Sequence, residues 1–204
     1  MEKRINWMKM VSRLFLGLLL MGGVAVHTAH SNSEKETGLE VYEGIGGDFT
    51  LTNHHGLEMN LKDYRGKVVL LTFGFTHCPD ICPATLSRLK RLMKKLAPQA
   101  DQVQTLFISI DPERDTPDQL KSYLAHFHPT FVGLTGTLAR IVKIAQQYGV
   151  MFFKQTTESK AGYFFAHSDY VFLADQEGRL RAFYRTDAPL DEMIDDIQWL
   201  LAAQ

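Results

Sequence analysis

The 204-residue sequence has only two cysteines. That scarcity excludes a disulfide-knit scaffold, which needs several bridges, and a structural zinc site made mainly of thiolates. Lysine and arginine total 22 against 23 aspartate and glutamate, a net charge of −1. No excess of one sign exists to draw nucleic acid, and no charged tail marks an oppositely charged partner. Internal repeats and low-complexity tracts are missing, so the length is read as one ordinary domain plus a leader. No apolar run reaches the roughly 20 residues of a membrane span. The N-terminal run, Leu14–Val26, is short for one.

That run suits the core of a signal peptide, because Lys3, Arg4, Lys9 and Arg13 lie ahead of it and Ala29-His30-Ser31 offers small residues behind it. An uncleaved anchor beginning near Val11 is the alternative, its basic side kept cytoplasmic. No cysteine follows the apolar core, which excludes a lipoprotein anchor. Residues 1–31 are therefore read as a signal peptide or N-terminal membrane anchor, 32–46 as a polar, Gly-rich tether, and 47–204 as an exported domain. The setting is the periplasmic side of a bacterial inner membrane, anchored or soluble after cleavage.

Both cysteines fall in Phe73-Gly74-Phe75-Thr76-His77-Cys78-Pro79-Asp80-Ile81-Cys82-Pro83. The apolar run Val68–Phe75 leads into this stretch. Cys82, Leu86, Leu89, Met93 and Leu96 follow at steps of three and four, predicting strand, tight turn and helix. A helix starting near Pro79 puts the two sulfurs on one face, able to close a disulfide or grip one ion. Closing so short a ring constrains little of the unfolded chain, so the spacing favours chemistry over stapling. Near the helix N-terminus the dipole favours a Cys78 thiolate, while Cys82 falls on the apolar seam.

The remaining pattern predicts a hairpin around Asn53-His54-His55-Gly56 and a second buried strand over Thr105–Ile110. A helix starts at Thr116-Pro117-Asp118, a short strand covers Phe131–Leu134, and another helix covers Thr137–Tyr148. Val150–Lys154 is extended, and Thr156–Tyr163 reads as a surface excursion. Strands at Tyr170–Ala174 and Arg179–Tyr184 precede a closing helix over Pro189–Ala202. This order predicts an α/β, thioredoxin-like fold with an added N-terminal β-hairpin. Of eight histidines, His54 and His55 are expected at the surface. His167, just before the late strand, is expected to face the cysteine helix. Asp111, Arg114 and Asp115 are read as turn and surface-loop residues. Met59, Met93 and Met151 are read as core packing, and Phe73, Phe75, Phe152, Phe153, Phe164 and Phe165 as core or site-lining. Two thiolates and one imidazole suit copper, Cu(I) above all and Cu(II) tolerably.

Cys78-Pro79-Asp80-Ile81-Cys82-Pro83, Asp111-Pro112-Glu113-Arg114-Asp115-Thr116-Pro117, and His167-Ser168 before Tyr170 together resemble the Sco/SenC copper proteins. Gly47-Asp48-Phe49 and Gly66-Lys67-Val68 extend the resemblance over roughly residues 46–200. It implies copper held by Cys78, Cys82 and His167 on a thioredoxin-like fold. The implied function is assembly of the dinuclear copper centre of cytochrome c oxidase, by copper delivery, by reduction of the target's cysteines, or by both. The implied partners are the copper-site subunit of that oxidase or another copper chaperone, with the membrane added if the leader stays attached. The competing reading is an enzyme, a thiol-disulfide oxidoreductase with Cys78 as nucleophile and Cys82 as resolving thiol. Three residues between the cysteines, where the usual redox motif has two, and the presence of His167 favour copper.

Overall fold

The computed structural model of the chain describes residues 39–158 and 162–203. The expected leader and residues 32–38 of the expected tether lie outside them. Among the described residues no helix is long and apolar enough to cross a membrane.

The first strands among the described residues form a hairpin, β1 (Thr50–Asn53) and β2 (Glu58–Asn60). Its turn is closed by the Asn53 side chain, which accepts from the His55 and Leu57 amides at 2.9 and 3.1 Å. Then come β3 (Val68–Gly74), α1 (Ile81–Lys95), β4 (Val103–Ser109), α2 (Pro117–Ala125), β5 (Val132–Thr135) and α3 (Leu138–Gln147). The chain finishes with β6 (Phe152–Thr156), β7 (Tyr163–His167), β8 (Tyr170–Ala174), β9 (Leu180–Arg185) and α4 (Leu190–Ala202). Seven strands form one sheet in the order β2-β1-β5-β4-β3-β8-β9, while β6 and β7 pair only with each other. β3, β4 and β5 are parallel, and the flanking strands are antiparallel to their neighbours. This is the thioredoxin-like α/β layout, with β1–β2 extending the sheet past β5.

Every residue of β3 and β4 is buried, as expected of parallel strands covered on both faces and therefore largely apolar in sequence. α1 turns Cys82, Leu86, Leu89 and Met93 inward. Burying such side chains contributes about 2 kcal/mol each. α2 and α3 start where their caps stand, Thr116 accepting from the Gln119 amide and Thr137 from the Arg140 amide.

Several expectations need correction. Residues 39–46, expected in the tether, dock on the domain: the Tyr42 amide donates to the Leu180 carbonyl and the Gly46 amide to the Gln147 carbonyl, both at 2.9 Å. The segment expected as a surface excursion ends in a ninth strand, β7, which carries His167 in a strand and not in a loop. Asp111 and Asp115 are buried, not surface-loop residues, and His54 is buried as well. Met59 and Met93 lie in the core, but Met151 is 74% exposed, and Phe153 and Phe164 are exposed too. Met151 and Phe153 face outward on either side of half-buried Phe152.

Candidate metal centre

β3 ends at Gly74, and the chain turns at once, the Cys78 amide donating to the Phe75 carbonyl at 3.2 Å. α1 starts two residues later than the spacing predicts, with Asp80 at the N-cap and no side-chain cap bond from it. The Cys78 sulfur serves instead, accepting the Cys82 amide at 3.4 Å. One of the unpaired donors of the helix start is thereby aimed at a sulfur, an arrangement that favours a thiolate.

Cys82 is buried and Cys78 half-buried, and neither is in a disulfide. His167 arrives from 85 residues away, its Nε2 lying 3.6 Å from Cys82 Sγ. Its Nδ1 stands 2.9 Å from the Ser168 carbonyl, an acceptor only. Nδ1 must therefore carry a proton and donate it, leaving the Nε2 lone pair turned to the sulfurs. Phe75 borders the imidazole edge-on at 6.1 Å, with the Phe165 ring 5.7 Å from Phe75. Cys82 and His167 share a cavity of about 10 Å³ with Thr72, Ile81 and Asp169. Two larger cavities, of about 300 and 420 Å³, contain none of these donors.

The two thiols are unequal. Hydrogen bonding from the Cys82 side chain, with help from the amides of Asp80 and Cys82, pulls Cys78 far below its ordinary pKa despite its burial. The same contact with Cys78, together with burial and the nearby negative charges of Cys78 and Asp115, pushes Cys82 up. The pair shares one proton, and Cys82 keeps it.

The predicted trio thus meets at one place. The donors hydrogen-bond one another and do not yet converge on a common point, and among the described residues no group of three or more His, Cys, Asp or Glu has converged in that way. The donor set nevertheless fits a soft ion. Two donors bonded to one ion at about 2.3 Å for sulfur and about 2.0 Å for nitrogen, at a tetrahedral angle, stand about 3.5 Å apart. The 3.6 Å between Cys82 Sγ and His167 Nε2 is close to that spacing.

Sequence reasoning missed four residues here. Gly74 leaves room for the site: a Cβ there would lie 2.7 Å from Phe107 Cε2 and 2.9 Å from Cys82 Sγ. Asp115, fully buried, accepts from the Thr76 amide at 2.9 Å, the Thr76 hydroxyl at 2.6 Å and the Ser109 hydroxyl at 2.6 Å. It thereby fixes the cysteine loop two residues before Cys78. Asp111 and Tyr163 make a second contact, taken up below. The alternation of Tyr163, Phe165 and His167 was the available signal for β7, but apolar Phe164 between them obscured its period.

A family model described as SCO1/SenC matches residues 39–202. The chain is 37% identical over 160 residues to a SCO2-like protein of Rickettsia felis, covering 76% of this chain and 78% of that one. Among solved structures, Bradyrhizobium japonicum ScoI with copper bound is 36% identical at a TM-score of 0.70, covering 76% of this chain and 99% of that one. BsSco, described as a member of the Sco family of cytochrome c oxidase assembly proteins with a disulfide switch, is 25% identical at a TM-score of 0.63. That match covers 81% of this chain and 98% of BsSco.

Proposed function

This chain belongs to the SCO1/SenC family, and on that premise we propose that it takes copper as cargo between Cys78 Sγ, Cys82 Sγ and His167 Nε2 during assembly of the dinuclear copper centre of cytochrome c oxidase. The observation that carries this reading is the approach of His167 Nε2 to Cys82 Sγ across 85 residues of sequence, in the tautomer that frees its lone pair. Thiolate and imidazole suit Cu(I) and tolerate Cu(II). Three ligands beside a half-exposed sulfur leave an approach for an acceptor's own ligands. The oxidase copper-site subunit or another copper chaperone is the proposed partner.

Reduction of the target's cysteines is a linked activity of the same pair, supported by the inequality of the two thiols. The Cys78 thiolate attacks a target disulfide, forming a mixed disulfide and releasing one target thiolate. Cys82 then loses its proton, attacks Cys78 and releases the second target thiol. Two electrons pass to the target, and the chain is left with a Cys78–Cys82 disulfide. Placement on the periplasmic side, with residues 1–31 as leader or anchor and a tether behind them, rests on the basic flank and short apolar run of the N-terminus.

The test is a Cu(I) titration of the reduced full chain under argon. One copper per chain is expected, weakened in His167→Ala and abolished when Cys78→Ser and Cys82→Ser are combined. No copper uptake by the wild type, or unchanged uptake without His167, would overturn the three-ligand site and leave thiol exchange as the function.

A further inference from the structure

His167 ends a two-stranded ribbon that makes no ladder with the main sheet. Behind it the chain enters the sheet at Tyr170, the start of β8; ahead of it, side-chain contacts tie the ribbon to the cysteine turn. Tyr163, Phe165 and His167 share the inner face of β7 by strand alternation. Phe165 meets Phe75, and His167 meets Cys82. Tyr163, at the start of β7, meets the loop between β4 and α2. Its hydroxyl reaches Asp111 Oδ1 at 3.0 Å and Glu113 Oε2 at 3.2 Å. The Arg114 guanidinium carbon and the Lys154 ammonium each stand 3.7 Å from its ring centroid. Arg114 also donates to the Tyr163 carbonyl at 3.2 Å and pairs with Asp111. A cation over an aromatic face and a charged hydrogen bond both hold Tyr163 against this loop.

The same loop ends in Asp115, which holds Thr76 ahead of Cys78. One short loop therefore grips both halves of the site, the cysteine turn through Asp115 and the histidine ribbon through Asp111 and Arg114. We propose that Tyr163, anchored on Asp111 and Arg114, is a positioning residue that sets the distance of His167 from Cys78 and Cys82. This rests on the three-ligand reading above. The lever is short: four residues of extended chain, about 13 Å, separate Tyr163 from His167. Loosening its far end lets the imidazole drift while the cysteine turn, held by Asp115, stays in place.

The experiment is a double-mutant cycle on the reduced full chain, reading Cu(I) affinity by competition with a chromogenic chelator. Tyr163→Leu removes ring and hydroxyl, and it is expected to weaken copper by about 10-fold to 100-fold, the usual effect of losing a residue that orients a ligand. Tyr163→Phe keeps the ring beside its two cations and should fall between Tyr163→Leu and wild type. In a His167→Ala background Tyr163→Leu should add nothing, because the ligand it positions is gone. Tyr184→Phe, which gives up a hydroxyl bond of 2.6 Å to Asp196 between β9 and α4, should bind copper as wild type does. Wild-type affinity in Tyr163→Leu, or an equal loss with and without His167, would overturn the proposal. If Tyr163→Leu does not fold, Tyr163→Phe in the same cycle decides by the same criterion. Should His167→Ala alone bind like wild type, the ligand assignment fails first, and that outcome is read separately from any Tyr163 result.

Discussion

Gly74→Ala tests how tightly the site is built into the core. Gly74 does not need glycine for its backbone, since its φ is not positive; it needs glycine for space. A methyl there would stand 2.7 Å from Phe107 Cε2 and 2.9 Å from Cys82 Sγ. Unbonded carbons prefer about 3.5–4.0 Å, so the neighbours must retreat by about 1 Å. Neither can do so freely, because Phe107 is 1% and Cys82 4% exposed, and the Phe107 ring is backed by Tyr123 at 6.1 Å. Forcing a methyl into so dense a place costs about 2 kcal/mol, which lowers Tm by about 4–8 °C in a domain of this size. Displacing Cys82 Sγ should also weaken copper by about tenfold. The assay is urea unfolding of the apo chain beside Cu(I) competition. Gly136→Ala is the control, because its methyl would meet only Leu51 Cδ2, at 2.9 Å, on the β1 side of the sheet. That variant should lose stability and keep its copper affinity. Wild-type unfolding, or wild-type copper affinity, in Gly74→Ala would refute the argument from close approach.

Two further outcomes follow from the titrating groups. The thiolate band in the ultraviolet should show one ionised cysteine per reduced chain at neutral pH and below, with the second appearing only at strongly alkaline pH. Cys82→Ala should raise the Cys78 pKa more than His167→Ala does, since Cys82 is the larger cause of its depression; two thiols titrating together near about 8.5, the ordinary value, would contradict this. His54 Nδ1 accepts the Gly133 amide at 3.0 Å, so protonating that nitrogen breaks a buried bond. Burial, then His55 and Lys121, lower its pKa. A histidine held neutral in the fold binds its proton more readily when unfolded. Stability is therefore full above about 6.5, the unfolded value, and is lost as pH falls below it toward the lowered folded value. Unfolding midpoints measured from pH 7.5 down to pH 5 should fall in wild type and fall less in His54→Asn.

Much of this molecule was legible in its sequence. The buried runs of β3 and β4, the capped starts of α2 and α3, and the seam Cys82-Leu86-Leu89-Met93 all come from local rules. Periodicity and capping act within a few residues, and the sequence displays them directly. The meeting of Cys78 with Cys82 was legible for the same reason, although the helix proved to start at Ile81 and not near Pro79. His167 was placed by topology and resemblance, since no local pattern links it to the cysteines.

Other features belong to the tertiary structure alone. The burial of Asp111, Asp115 and His54 was invisible, because polar residues in a Pro-rich or His-rich loop look like turn chemistry until their partners are known. Asp115 is tolerated in the core only because Thr76 and Ser109 satisfy it. The separate β6–β7 ribbon, the exposure of Met151 and Phe153, and the space at Gly74 likewise arise from chain segments distant in sequence. The sequence by itself determined which donors exist and which elements carry them. The tertiary structure decided their distances, their protons and what holds them, because these depend on contacts between segments that no local spacing encodes.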